Sequence, residues 1–137
     1  MPNTQAVGVA YSDPEFTTCY ASQEIGYSAA AQGTVTQATS KSTAVTLNKS
    51  AGQITMNNAA LAGGAVATFT LTNNLISAND TIVVCISSVT TGSTAAAYTT
   101  YVCSLTTNSA VIALRNLSGT SYSEAVVINY CIIHGAS

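Results

Sequence analysis

Charge is the property this chain of 137 residues has least of. Lys41, Lys49 and Arg115 are its only basic side chains, and Asp13, Glu15, Glu24, Asp80 and Glu124 its only acidic ones. Together they make 6 % of the residues, against about 25 % in an ordinary soluble domain. Three cations cannot neutralise a run of phosphates, which excludes nucleic acid as a partner. The same shortage excludes membrane association through basic patches. No run approaches the about 18 apolar residues of a spanning helix. The first residues, MPNTQAVGVAY, have neither the basic nor the apolar stretch of a signal peptide, and none is expected. The charge is also too low, and the mean hydropathy too positive, for a disordered tail.

Residues that carry chemistry are equally sparse. His134 is the one histidine. No Cys-x-x-Cys spacing occurs, no Gly-x-Ser-x-Gly, and no cluster with metal-ligand spacing. Ala62, Gly63 and Gly64 are too short a stretch for a phosphate loop. No catalytic residue, metal or cofactor is therefore assigned, and an enzyme is not expected. Cys131 and His134 are three apart, which on one straight strand puts them on opposite faces. Asp80 and Glu124 each stand at the start of an apolar run. They could form a carboxylate pair acting on a sugar, but are expected to be solvent-facing charges at strand ends. Of the four cysteines, Cys19, Cys85, Cys103 and Cys131, the last three lie inside strand-like runs (TIVVCIS, TTYVCSL, VINYCII). They read as small buried hydrophobes, with a cross-strand disulfide such as Cys85 to Cys131 left open.

Solubility rests instead on hydroxyls and amides: 37 serines and threonines and 10 asparagines. Apolar residues make up 47 % of the chain, enough for one real core. So little charge leaves little repulsion between copies, and the composition reads as a β-protein built to live in an assembly. The chain divides near Gly33. Residues 1–32 have a net charge of −3 and no basic side chain, whereas 33–137 sum to +1. The first part holds Tyr11, Phe16, Tyr20 and Tyr27 without helix or strand period. It reads as an extended N-terminal arm whose aromatics dock against a partner.

From residue 33 onward, strand-like runs alternate with turn signals at the spacing of a sandwich or barrel. The runs are 33–38, 44–47, 53–56, 65–72, 80–89, 98–105, 110–115 and 124–133. In 65–72, Ala67, Phe69 and Leu71 alternate with Thr68, Thr70 and Thr72, as a half-buried strand requires. Residues 80–89 and 124–133 are apolar on both faces. The expected fold is an all-β, antiparallel two-sheet β-sandwich, with jelly-roll connections as one option. The second apolar face is assigned to a subunit interface at Val83, Cys85 and Tyr130, with cover by the arm as the competing assignment. Tyr98, Tyr101 and Tyr122 lie at or near turns, where rings can stack on sugars.

Residues 35–73, VTQATSKSTAVTLNKSAGQITMNNAALAGGAVATFTLTN, and 115–133, RNLSGTSYSEAVVINYCII, resemble small β-sandwich proteins of tailed-phage particles. The resemblance covers about three-quarters of the chain. It implies one of two roles. The first is a capsid decoration, or cement, protein: a homotrimer on the outer capsid surface of the virion, assembled in bacterial cytoplasm, that ties major capsid protein subunits together. The second is the trimeric tip of a tail fibre or tailspike, which meets a host receptor or glycan. A chain of this length without a fibre shaft favours the first, with the arm as the capsid-docking element. Tyr98, Tyr101 and Tyr122 are the receptor or glycan contacts under the second.

Overall fold

The computed structural model describes residues 17–90 and 94–135. Tyr11 and Phe16 lie outside them. Eight strands form: β1 (Gln32–Thr36), β2 (Val45–Thr46), β3 (Ala51–Thr55), β4 (Val66–Thr72), β5 (Thr81–Val89), β6 (Tyr98–Thr106), β7 (Ser109–Asn116) and β8 (Val126–Ile133). They make two four-stranded sheets, β1-β3-β8-β5 and β2-β4-β7-β6, packed face to face as a β-sandwich. We refer to these as the first and second sheets.

Chain connectivity explains the pairing. From β1 to β4 each connection crosses from one sheet to the other. Two crossings restore the chain direction, so β3 lies beside β1, and β4 beside β2, in parallel. The remaining pairs are antiparallel. The wholly antiparallel order of a jelly roll is thus replaced at one edge of each sheet. The β6–β7 connection is a tight hairpin. Its Asn108 takes a left-handed φ of 65°, which a short amide side chain tolerates.

Alternation fixes the core. On β4, Ala67, Phe69 and Leu71 point inward, while Thr68 and Thr72 are exposed. Ile54, Ile112, Leu114, Val126, Ile128 and Ile132 complete the centre and are fully buried. Each such side chain contributes about 1.5–3 kcal/mol on leaving water. Tyr130 is buried among them, 3 % exposed. Its hydroxyl donates to the carbonyls of Lys49 (2.9 Å) and Leu47 (3.3 Å).

Amides close the connections where another protein would use charges. The buried Gln37 donates from Nε2 to Lys41 O (3.1 Å) and Thr43 O (2.8 Å), and its Oε1 accepts from Asn57 N. Asn73 donates to Lys49 O (2.7 Å) and accepts from Leu75 N (3.0 Å). Asn116, fully buried, donates to Leu61 O and Thr120 O and accepts from Ser118. Backbone groups of the turns thereby keep partners although buried.

The cysteines depart from the expected burial. Cys19, Cys85 and Cys103 are exposed, Cys131 is half-buried, and all four are free thiols. Cys85 and Cys131 stand at the outward positions of β5 and β8. They are not directly opposed, since Cys131 pairs with Val83 and Cys85 with Asn129.

Candidate functional site: the arm and the outer face of the first sheet

The outward positions of the first sheet form rows across it. One row is Gln32, Ala51, Cys131 and Val83; the next is Thr34, Gln53, Asn129 and Cys85. The outward residues of β8 end at Ile133, 57 % exposed, and Val83 is 47 % exposed. None of these positions carries a formal charge. The polar members bond among themselves, Gln53 Nε2 donating to Asn129 Oδ1 at 3.0 Å. Charge depletion of this kind marks the centre of interfaces rather than ordinary surface.

Residues 17–30 of the arm are exposed throughout, with Tyr20 at 92 % and Ile25 at 86 %. Near its root the arm is tied down. The Tyr27 hydroxyl donates to Ile132 O on β8, Gln32 Nε2 donates to Tyr27 O (3.0 Å), and Lys49 Nζ donates to Ala30 O (2.8 Å). Between Ile25–Gly26–Tyr27 and strands β1, β3 and β8 lies a groove of about 1040 Å³. Desolvation raises the Tyr27 phenol above its ordinary pKa, with smaller contributions from Cys131 and Asp80 nearby.

Asp80 and His134 close one end of this face. The Asp80 carboxylate accepts from Ser77 N (2.8 Å), Ser77 Oγ (2.9 Å) and Gly135 N (3.1 Å), and lies 3.1 Å from His134 Nδ1. The Ser77 backbone N–H is the main reason its pKa falls to about 2; burial opposes this, and the other bonds add to it. The arrangement fastens the chain leaving β8 to the chain approaching β5. His134 turns toward Asp80 rather than Cys131, in keeping with their spacing.

At the other end, Glu124 is buried and its carboxylate accepts from Tyr98 OH (2.9 Å) and Thr94 Oγ1. Lys41 is buried beside it. Its ammonium donates to Asn57 O (2.6 Å) and Glu124 O (2.5 Å), and burial lowers its pKa. Burial, then the bond to Glu124, raises the Tyr98 phenol far above its ordinary range. Asp80 and Glu124 are therefore not solvent-facing charges, because each is drawn in by donors from distant segments.

Three expected contacts move. Tyr130 is a core residue, not part of an interface with Val83 and Cys85: its partner on β5 is Val84, which also points inward. Tyr98 is 5 % exposed, packed edge-to-face on Tyr122 with ring centroids 6.3 Å apart, so it is no ring at a loop tip. Tyr101 stands alone on the outer face of the second sheet, exposed, and Tyr122 is half-buried. The three tyrosines do not form one platform. Val83, Cys85, Tyr20 and Tyr27 do lie on the exposed face and arm. Sequence reasoning missed Gln53 and Asn129, although an amide interrupting the apolar run VINYC signals an outward position.

Comparison with protein-family models, with curated proteins and with solved structures finds no match to this chain.

Proposed function

We propose that this chain is a structural protein of a virus particle: a homotrimeric decoration protein that binds the outer capsid surface and stabilises the major capsid protein lattice. The observation that carries this reading is the arm. Its root is fastened to the first sheet through Tyr27, while Tyr20 and Ile25 are almost fully exposed beside a sheet face without charge. Large apolar side chains presented together in this way mark surfaces that meet a partner. The resemblance of residues 35–73 and 115–133 to small phage β-sandwich proteins points to the same class. Free thiols suit assembly in a reducing cytoplasm.

Cement action is thermodynamic. A protein that binds only the expanded lattice stabilises it by mass action. Weak contacts repeated over a shell add through multivalency. The test is copy number per particle, by quantitative mass spectrometry of purified virions against the major capsid protein. The expected result is hundreds of copies in fixed ratio to the shell subunit. A handful of copies in multiples of three moves the protein to the tail, where Tyr101 and Tyr122 become the host-surface glycan contacts. Absence from particles overturns both roles.

A further inference from the structure

The groove beside the arm root is not a purely apolar pocket. Its floor is the outer face of β1, β3 and β8. Gln32, Ala51 and Cys131 form one row there, and Thr34, Gln53 and Asn129 the next. Amides and a hydroxyl thus hold most of the floor. Apolar surface comes from Ile25 and Tyr27 of the arm and from Ile133 at the end of β8. No Asp, Glu, Lys or Arg among the described residues lines the groove. His134, at one end, is turned to Asp80, 3.1 Å away.

Hydrogen-bonding capacity is left over on this floor. Gln53 Nε2 donates to Asn129 Oδ1 at 3.0 Å. That bond leaves the Asn129 amide nitrogen as a donor and the Gln53 carbonyl as an acceptor, on neighbouring strands. The aromatic wall is fixed in advance. The Tyr27 hydroxyl donates to Ile132 O, and Gln32 Nε2 donates to Tyr27 O at 3.0 Å. The ring, 37 % exposed, is therefore held in place before a guest arrives, which lowers the ordering cost of binding.

Each class of guest meets these groups differently. A charged guest finds no counter-ion. An apolar guest strips water from the amides and returns no hydrogen bond. A peptide strand adds at a sheet edge, whereas this floor is a sheet face. A neutral sugar matches both halves, with hydroxyls that donate and accept and a C–H face that packs on an aromatic ring. We propose that the groove binds a neutral oligosaccharide, Gln53 and Asn129 bonding adjacent hydroxyls and the Tyr27 ring packing on the sugar's C–H face. Its volume of about 1040 Å³ lies at the top of the range of small-ligand pockets, about 300–1,000 Å³, and suits several linked rings better than one. The site lies within one copy, on the sheet opposite to the exposed Tyr101, and Tyr20 stands outside it, free for the shell. It goes beyond the capsid role by giving a particle-bound protein a hold on a carbohydrate-coated surface.

The experiment titrates the nitrogen-labelled full chain and follows its side-chain amide resonances by NMR. Maltohexaose, cellohexaose, mannohexaose and chitohexaose are the neutral probes; hyaluronan and heparin oligosaccharides are the acidic ones. At millimolar concentration, at least one neutral probe is expected to shift the Gln53 and Asn129 amides, and neither acidic probe is. Asn129→Leu, at an exposed position, is expected to weaken that binding about tenfold with the backbone spectrum otherwise kept; Gln53→Met should act in the same direction. Silence toward every neutral probe, or binding of the acidic probes alone, overturns the proposal. Binding that survives Asn129→Leu and is lost in Tyr101→Ala moves the sugar to the second sheet and overturns it too. Copy number on particles does not enter this measurement, so the capsid reading and the groove can fail separately.

Discussion

Replacing Glu124 by Gln separates two accounts of the same residue. As a solvent-facing charge at the start of β8, it would tolerate the change within about 0.5 kcal/mol. In the structure its carboxylate is buried and accepts from the hydroxyls of Tyr98 and Thr94. Hydrogen bonds to a charged group contribute about 1.5–3 kcal/mol each and neutral ones about 0.5–1.5. Converting two such bonds from charged to neutral therefore costs about 2 kcal/mol. Glu124→Ala leaves the Tyr98 hydroxyl buried without an acceptor and costs more, about 3–4 kcal/mol. For a domain of this size, 2 kcal/mol lowers Tm by about 8 °C.

Urea unfolding followed by circular dichroism measures this directly. The midpoint is expected to fall at unchanged slope, the mark of a stability change without a change in the surface exposed. Tyr98→Phe supplies the cycle. The loss in the double variant should be smaller than the sum of the two single losses, by about 1 kcal/mol, as for groups in direct contact. A Glu124→Gln midpoint indistinguishable from wild type, or strictly additive losses, refutes the reasoning.

Three further outcomes follow from other sites. The Asp80 pKa, held at about 2, lies below the unfolded value of about 3.9. Its contribution is therefore present above about pH 4 and is lost as pH falls toward 2; Asp80→Asn should flatten the acid limb of urea midpoint against pH. Tyr130, pushed up to about 12 mainly by burial, should keep its phenol neutral above the ordinary phenol pKa of about 10, seen as a late component of phenolate absorbance that shrinks in Tyr130→Phe while that of Tyr98 remains. A Cβ at Gly63 would stand 2.4 Å from the Gly119 carbonyl carbon, whereas one at Gly26 meets nothing; Gly63→Ala should destabilise by about 1–3 kcal/mol and Gly26→Ala should not, by the same urea assay.

How far the fold could be read in advance depends on whether its cause is local. The alternation of Phe69 and Leu71 with their threonine neighbours is a property of adjacent residues, and β4 formed where it stood. Register between strands is not local. Grouping Tyr130 with Val83 and Cys85 set β8 one residue out of step with β5, and a one-residue slip turns every side chain to the other face. With Cys131 opposite Val83, Tyr130 moves inward and the thiol outward. On β6, Cys103 is outward by alternation after the inward Val102, and the bulge between Val102 and Ser104 leaves Ser104 exposed and turns Leu105 inward. The acids were misplaced for a related reason: Glu124 is buried by donors 26 and 30 residues away, and Asp80 is held partly by residues 54 and 55 away. Ser77, three residues before Asp80, was the one local sign.

The scarcity of charge links these buried networks to the exposed face. Each acid or base given to the interior is one fewer on the surface to keep copies apart. Lys41, Asp80 and Glu124 are all buried, so the described sandwich is left with Lys49 and Arg115 as its surface side-chain ions. Lys49 is engaged by the root of the arm. Little then opposes the approach of one uncharged sheet face to another surface, and the acids of the arm, Asp13, Glu15 and Glu24, hold most of the remaining net charge. Attraction between acidic arms and a sandwich of slight positive charge is therefore expected to be weak and screened by salt, whereas apolar contact is not. Self-association that persists at 1 M salt fits docking by the apolar and backbone groups of the arm. Association that vanishes there assigns it to charge.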